Sequence, residues 1–471
     1  MSEAVIHADV AVIGAGSAGL VARRHALRSG AKRVLLIEGG PYGTTCARVG
    51  CMPSKLLIAA ADAAEQLRSA RMFGIEAGSV EIDGAAVMAR VQRERDRFAG
   101  FAVESSEAID ASDRVRGWAR FVGPRSLVVD TAEGSVRVEA RAVVVATGST
   151  PWVPPGLRGL GDRLLTSDSV FELPTLPRSL AVVGAGAIGL ELGQAMHRLG
   201  VETMIFAKGS RMPLVSSEVM QGVARELFEA SLALHLGVAD VAGERLEGDR
   251  GVQLRWTGAD GGAREAEFEY VLAATGRRSQ LDRLDLGQAG VELDAEGRPT
   301  SWDLRTTQIA DAPIFMAGDV TGVRTILHEA SAEGRIAGSN AARHPDVRAH
   351  DRQVPLRIMF TDPNIAVVGE IPGDADERAC AFGEVDFSNQ GRARIIGHAH
   401  GRVRIYGRRE GGEILGAEMI GPGAEHMAHL LAWSIEQGLS AQRAVEMPYY
   451  HPVVEEGLRT AFGELAKKCR A

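Results

Sequence analysis

Apolar positions along this chain come in short runs that end on glycine, and the runs repeat. Asp9-Val-Ala-Val-Ile13 leads into Gly14-Ala-Gly16-Ser-Ala-Gly19, and Leu20-Val-Ala-Arg-Arg-His-Ala-Leu27 follows with helical spacing. Leu180-Ala-Val-Val183 leads into Gly184-Ala-Gly186-Ala-Ile-Gly189, and Leu190-Glu-Leu-Gly-Gln-Ala-Met-His197 follows. Each copy reads as a strand, a tight glycine turn and the start of a helix. A second echo comes later in each copy: Val143-Val-Val-Ala146-Thr147-Gly148 and Val271-Leu-Ala-Ala274-Thr275-Gly276. The pattern predicts two βαβ-type modules. In such a module the glycines let the backbone approach a pyrophosphate held at the helix N-terminus.

Proline-rich joints, Pro151 to Pro155 and Pro174 to Pro177, flank the passage into the second module. From about Val354 the texture changes. Strand-like stretches Arg402–Tyr406 and Ile414–Ile420 precede an amphipathic helix, Ala424–Gln437, which stops at Gly438. The predicted architecture is α/β, with two Rossmann-like dinucleotide-binding domains and a C-terminal α+β domain. Its predicted boundaries are 1–151 and 279–350 for the first domain, 152–278 for the second and 351–471 for the third.

The two modules differ at the end of the second strand. Arg33-Val-Leu-Leu-Ile-Glu38 ends in a carboxylate about 20 residues past the glycine turn, where an acid reads an adenosine ribose. An adenine dinucleotide without a 2′-phosphate, FAD or NAD, is expected there. The equivalent strand, Glu202-Thr-Met-Ile-Phe-Ala207, ends without an acid, and Lys208 and Arg211 follow at once. A missing carboxylate beside cations favours a 2′-phosphate, so NADP(H) is expected over NAD(H).

Between the glycine turn and the rest of the first module stands Gly43-Thr-Thr-Cys46-Ala-Arg-Val-Gly50-Cys51-Met-Pro53-Ser-Lys55. In a regular helix, residues five apart have Cα atoms roughly 8–9 Å apart. A disulfide spans about 4.4–6.8 Å. Cys46 and Cys51 therefore cannot bridge within one undistorted helix, and Gly50 is the expected break. Pro53 suits a first helical turn, and Ser54 to Gln66 reads as the helix. Cys51 then lies near a helix N-terminus, which favours a thiolate.

Composition changes the picture little. The chain has 471 residues, 45% hydrophobic and 24% charged, which predicts about three soluble domains. A net charge of -8 gives no reason to expect nucleic acid, and no apolar run approaches a membrane span. Met1-Ser-Glu3-Ala brings no basic stretch before the first strand, so no secretory leader is expected and a cytoplasmic location is. Of 4 cysteines, Cys46 and Cys51 read as a redox pair, because disulfides in reducing compartments are usually transient and catalytic. Cys380 is expected to be buried, Cys469 to be a tail thiol, and no metal site is expected.

Together these residues resemble the class I pyridine nucleotide–disulfide oxidoreductases, most of all the dihydrolipoyl dehydrogenases. The resemblance includes Gly43–Lys55 and the flavin motif Ile314-Phe-Met-Ala-Gly318-Asp319. It also includes Leu327-His328-Glu-Ala-Ser-Ala-Glu333-Gly334, Phe360-Thr-Asp-Pro-Asn-Ile-Ala-Val-Val-Gly369 and His451-Pro452-Val-Val-Glu-Glu456. It implies FAD in the first module, held by Gly14, Gly16, Gly19, Glu38, Thr147, Gly148, Gly318, Asp319 and His328. It implies NAD(P) in the second, held by Gly184, Gly186, Gly189 and Gly276, while Lys208 and Arg211 are expected there from their own charge.

The resemblance also implies a Cys46–Cys51 disulfide, with Cys51 the flavin-side thiol and Cys46 the interchange thiol. Lys55 would lie beside the flavin and pair with Glu191. His451 would be the acid/base, oriented by Glu456, and would complete the site of the other subunit in a homodimer. The expected activity is dithiol/disulfide exchange with a small or lipoyl substrate, linked to a nicotinamide nucleotide. An NADPH-driven reductase of another low-molecular-weight disulfide is the alternative, and a redox-sensing flavoprotein stands behind both. The departures are Tyr449 where the dehydrogenases usually have a second histidine, Arg278-Ser279-Gln280 where the family usually has R-P-N, and the missing ribose acid.

Overall fold

A computed structural model of the chain describes residues 5–248, 250–372 and 380–470. The opening tetrapeptide read for a leader lies outside them. The chain divides into two compact units. One comprises residues 1–56, 90–152 and 276–352; the other comprises 57–89, 153–275 and 353–471. Among the described residues no helix is long and apolar enough to cross a membrane.

The first unit is built on a mostly parallel sheet. Val5–Ile13 lies between Val34–Glu38 and Gly134–Val145, parallel to both. Ile314–Met316 adds a further parallel strand, and Ser126–Thr131 and Trp118–Gly123 extend the sheet antiparallel. The apolar runs are continuous because both faces are covered. Val10 and Val12 face one core, with Ala18, Ala22 and Ala26 of helix Ser17–Arg28. Ala11 and Ile13 face the other, with Phe121, Leu127 and Val129. Helix Leu327–Arg343 packs on Ser17–Arg28 at backbone distance. A Cβ on Gly334 or Gly338 would lie 2.3 or 2.0 Å from the carbonyl oxygen of Ala18 or Ala22.

The second unit holds the repeat. Ala233–Leu236, Glu202–Ala207, Ser179–Val183, Tyr270–Ala273 and Leu164–Thr166 form a five-stranded parallel sheet in that order. Leu164–Thr166 comes from between the two proline-rich joints. Helix Ala187–Arg198 follows the glycine turn. A three-stranded antiparallel layer, Ala239–Arg245, Val252–Thr257 and Ala263–Phe268, closes one face around Phe206, Trp256 and Phe268.

The α+β portion carries a five-stranded antiparallel sheet: Leu356–Met359, Asn364–Gly369, Ile414–Gly421, Arg402–Arg408 and Cys380–Asp386. Helix Ala424–Glu436 ends one residue earlier than the pattern predicts, and Gly438 takes φ +61° just beyond it. Leu458, Ala461, Phe462 and Leu465 of helix Glu456–Lys468 enter the same core. One thiol expectation needs correction. Cys380 opens an outer strand of the sheet and is only half-buried. Cys469, at the end of the last helix, packs against this core, and burial raises its pKa.

Candidate active site

Thr44, with φ +57°, caps a one-turn helix, Thr45–Val49, by accepting the N–H of Ala47 at 3.2 Å. Cys46 sits on that turn. Gly50 then breaks the helix with φ −125° and ψ −114°. Close approach explains the glycine, because a Cβ there would meet Thr45 O at 3.1 Å and the Cys46 Cα at 3.2 Å. Helix Cys51–Ser69 begins at Cys51 itself, three residues before the predicted start. The break folds the two turns together, so the Cys46 thiol hydrogen-bonds the Cys51 side chain. That hydrogen bond is the largest cause of a strongly raised Cys46 pKa, and burial adds to it. No disulfide joins the two side chains here, and Cys46 holds its proton. Cys51 is exposed and Cys46 half-buried.

The two glycine turns are near copies. Gly14 and Gly184 adopt φ +108° and +114°, and a Cβ on either would lie 2.2 Å from the carbonyl oxygen of Ala146 or Ala274. Thr147 and Thr275 follow those alanines, which ties the A-T-G echo to the turn. A Cβ on Gly19 or Gly189 would strike the Gly14 or Gly184 oxygen at 1.9 or 1.8 Å. Around Gly16 and Gly186, at the two helix N-termini, nothing lies within 4 Å of such a Cβ. Neither helix has an acid in its first turn. An open cradle of this kind at a helix N-terminus fits the diphosphate of an adenine dinucleotide.

At the first module's strand end, the Glu38 carboxylate accepts N–H groups of Ala15 and Gly40, both at 2.7 Å. In the second, Ala207 ends the strand and Lys208 is exposed. Arg211 is already engaged, with Glu218 at 2.5 Å and with the Ser216 carbonyl.

Chain crossings hold the flavin motif. Ser149–Pro151 pairs antiparallel with Arg277–Ser279. Ser149 donates to Asp319 at 2.9 Å and accepts from Arg277 at 2.8 Å. Thr147 donates to the Gln280 carbonyl at 2.7 Å. Gly148 and Gly276 take φ +71° and +105°. The Gly318 N–H donates to the buried Glu333 at 2.8 Å. Arg352 bridges Glu333 and Glu329, and Arg324 meets Glu329 at 2.8 Å. Burial raises the Glu333 pKa against the pull of Gly318 and Arg352. Sequence reasoning quoted Glu333 but missed Arg352, its arginine partner, which no fixed spacing announces. His328, on the same helix, is exposed.

The terminal segment builds an acid/base pair. Nδ1 of His451 lies 3.1 Å from each carboxylate oxygen of Glu456, the first residue of helix Glu456–Lys468. A carboxylate only accepts, so Nδ1 carries the proton and Nε2 is the working atom. The hydrogen bond from His451 lowers the Glu456 pKa. His451 is 80% exposed. Gln390, unnoticed in the sequence, holds the loop by donating to the Val453 carbonyl at 2.8 Å. Glu191 is buried and accepts the Phe360 N–H at 2.9 Å.

A dithiol at a helix start, two dinucleotide cradles and an exposed histidine backed by a carboxylate describe a flavin- and nicotinamide-linked thiol enzyme. Comparison with known families agrees. Residues 8–334 match the pyridine nucleotide-disulphide oxidoreductase model, and residues 356–462 match the dimerisation domain of the same family. The chain belongs to the pyridine nucleotide-disulphide oxidoreductases, and proteins similar to it include dihydrolipoyl dehydrogenases.

It is 34% identical over 470 residues to dihydrolipoyl dehydrogenase 3 of Pseudomonas aeruginosa, covering 96% of this chain and 97% of that one. It is 32% identical over 460 residues to dihydrolipoyl dehydrogenase of Haloferax volcanii, covering 96% and 95%. LpdA from Mycobacterium tuberculosis shares the fold with a TM-score of 0.81 at 24% identity, covering 98% of this chain and 99% of that one. The chain is thus an FAD-containing oxidoreductase of sulfur groups that uses a nicotinamide nucleotide and forms a homodimer through its terminal domain.

Proposed function

We propose that the chain exchanges electrons between a lipoyl-type dithiol/disulfide and a nicotinamide nucleotide, as a dihydrolipoyl dehydrogenase-like enzyme. The observation that carries this is the hydrogen-bonded Cys46 and Cys51 pair, which a single broken helix brings together. FAD is assigned to the first module (1–151 and 279–350), NAD(P) to the second (152–278), and the subunit interface to 351–471. Bound FAD supplies the two-electron link between the nicotinamide and the Cys46–Cys51 disulfide. Lys55 and Glu191 are assigned to the flavin side of that link.

In the reductive direction Nε2 of His451 takes the proton of the Cys46 thiol, and the resulting thiolate attacks one sulfur of the substrate disulfide. A mixed disulfide forms, and the other substrate sulfur leaves as a thiol, taking a proton from Nε2 of His451. The thiolate of Cys51 then attacks Cys46, forming the Cys46–Cys51 disulfide and releasing the second substrate sulfur. The dithiol gives up two electrons; one substrate thiol carries the Cys46 proton relayed through His451, and the second, released as a thiolate, takes its proton from water. Oxidation of a dithiol is the reverse. The exposure of His451 supports a role in the site of the partner subunit. Glu456 holds its tautomer. A cytoplasmic setting suits a pair that must cycle between thiol and disulfide.

Ala207 and the exposed Lys208 favour NADP(H) at the second cradle, and with it the second reading, an NADPH-linked reductase of another small disulfide. Engagement of Arg211 by Glu218 weakens that case. Steady-state rates with lipoamide and both reduced nucleotides, then with dihydrolipoamide and both oxidised ones, decide between them. Fast lipoamide turnover supports the dehydrogenase. Rapid NADPH-dependent flavin reduction without lipoamide turnover overturns it in favour of the second reading.

A further inference from the structure

Away from the thiols, the α+β portion gathers a second group of side chains with ligand chemistry. Asp362, His398 and His400 each offer one ligand atom, and these atoms all lie within 4.8 Å of one another. No other group of histidine, cysteine, aspartate and glutamate does so among the described residues. Nδ1 of His398 is 3.8 Å from Oδ1 of Asp362, and the two imidazole centroids are 5.9 Å apart. All three side chains are partly exposed, so an ion and a water can reach them.

The carboxylate is held in place. Gln194 accepts the Asp362 N–H at 2.7 Å and donates to its carbonyl at 2.8 Å. Arg198 takes Oδ2 at 2.8 Å, which leaves Oδ1 towards the histidines. Arg198 also meets Asp62 at 3.1 Å. Two carboxylates therefore surround one guanidinium. The histidines share one turn, closed by the His400 N–H donating to the His398 carbonyl at 2.9 Å.

We infer that Asp362, His398 and His400 bind one divalent transition-metal ion, of which Zn²⁺ is the reference case. Two imidazoles and a carboxylate suit zinc and its borderline neighbours rather than the hard ions calcium and magnesium. Donors on one tetrahedral zinc ion stand about 3.3–3.5 Å apart, given metal–ligand distances of about 2.1 Å. Small rotations of partly exposed side chains close the site to that size. Three protein ligands leave a fourth position for water. The sequence hid the site because Asp362 lies far from the His398-Ala-His400 pair along the chain.

The test is titration of tag-free, FAD-loaded enzyme with Zn²⁺ by calorimetry and with Co²⁺ by visible absorption. One ion per chain is expected, with nitrogen and oxygen ligation in the cobalt spectrum and no thiolate-to-metal band. Affinity should fall by about 100-fold in His398→Gln/His400→Gln and stay unchanged in Cys46→Ser. The wild-type cobalt spectrum keeps the test decisive if the double variant folds poorly. Absence of binding, equal binding by the double variant, a thiolate band, or loss of binding in Cys46→Ser would each overturn the site.

Discussion

The two dinucleotide modules have the same turn and different endings. Gly14 and Gly184 each bring backbone within 2.2 Å of where a Cβ would stand, against the first carbonyl of an A-T-G segment. Up to that point the copies are interchangeable. Beyond the second strand they part. The first copy ends on Glu38, which ties two backbone N–H groups, and continues into the broken helix that carries Cys46 and Cys51. The second ends on Ala207 and continues into Lys208 and an occupied Arg211. The turn makes an open cradle at a helix N-terminus in both copies, and the copies differ in the residues that follow the second strand.

The largest expected effect isolates the thiol segment, which only the first copy has. Cys46→Ser should abolish disulfide turnover while nicotinamide-dependent flavin reduction persists. Normal lipoamide turnover in that variant would remove the interchange assignment. Replacing His451 by alanine should slow exchange by about 10²–10⁴, the usual size of an acid/base contribution. A similar loss of flavin reduction by the nucleotide would show that His451 acts elsewhere.

Next come the glycines, which test the modules against each other. Gly14→Ala should release flavin on gel filtration. Gly184→Ala should stay yellow but bind the nicotinamide nucleotide about 10–100-fold more weakly, from strain of about 1–3 kcal/mol. Loss of flavin from both variants would undo the division of labour. A smaller effect is expected from Ala207→Glu, which should shift the ratio of NADH to NADPH efficiency about tenfold towards NADH. An unchanged ratio would mean that this position does not read the ribose.

The smallest effect is a titration. The raised pKa of Cys46 keeps its proton on as pH rises past the ordinary thiol value of 9.0, because Cys51 receives its hydrogen bond and repels a second charge. Thiolate absorbance of the reduced pair should therefore stay below two equivalents at that pH. The opposite sign applies to Glu456. Its lowered pKa means that the clasp on His451 is complete above the ordinary carboxyl range and is lost only as pH falls through the lowered value. A His451 Nδ1–H signal already gone near neutrality would contradict that clasp.

Much of this was legible before any coordinates. Continuous apolar runs reported a sheet covered on both faces, since Val10 and Val12 enter one core while Ala11 and Ile13 enter the other. The turn glycines and the two cysteines were readable because local backbone geometry dictates them. Cys380 was misread as buried, because hydrophobicity alone does not tell an outer strand from an inner one. Long-range partners were silent. Arg352 serves Glu329 and Glu333, and Gln390 serves the Val453 carbonyl, with no fixed spacing to announce either.

By itself, then, the sequence determined the repeated strand–glycine–helix units, the strand ends and the identity of the reactive thiols, because each depends on neighbours a few residues away. Tertiary structure alone decided the rest. It set Arg352 against Glu329 and Glu333, and Gln390 against the Val453 carbonyl. It also brought Asp362 to His398 and His400. Those outcomes depend on which backbone segments pack side by side, and that is set by the burial of whole faces rather than by any local pattern.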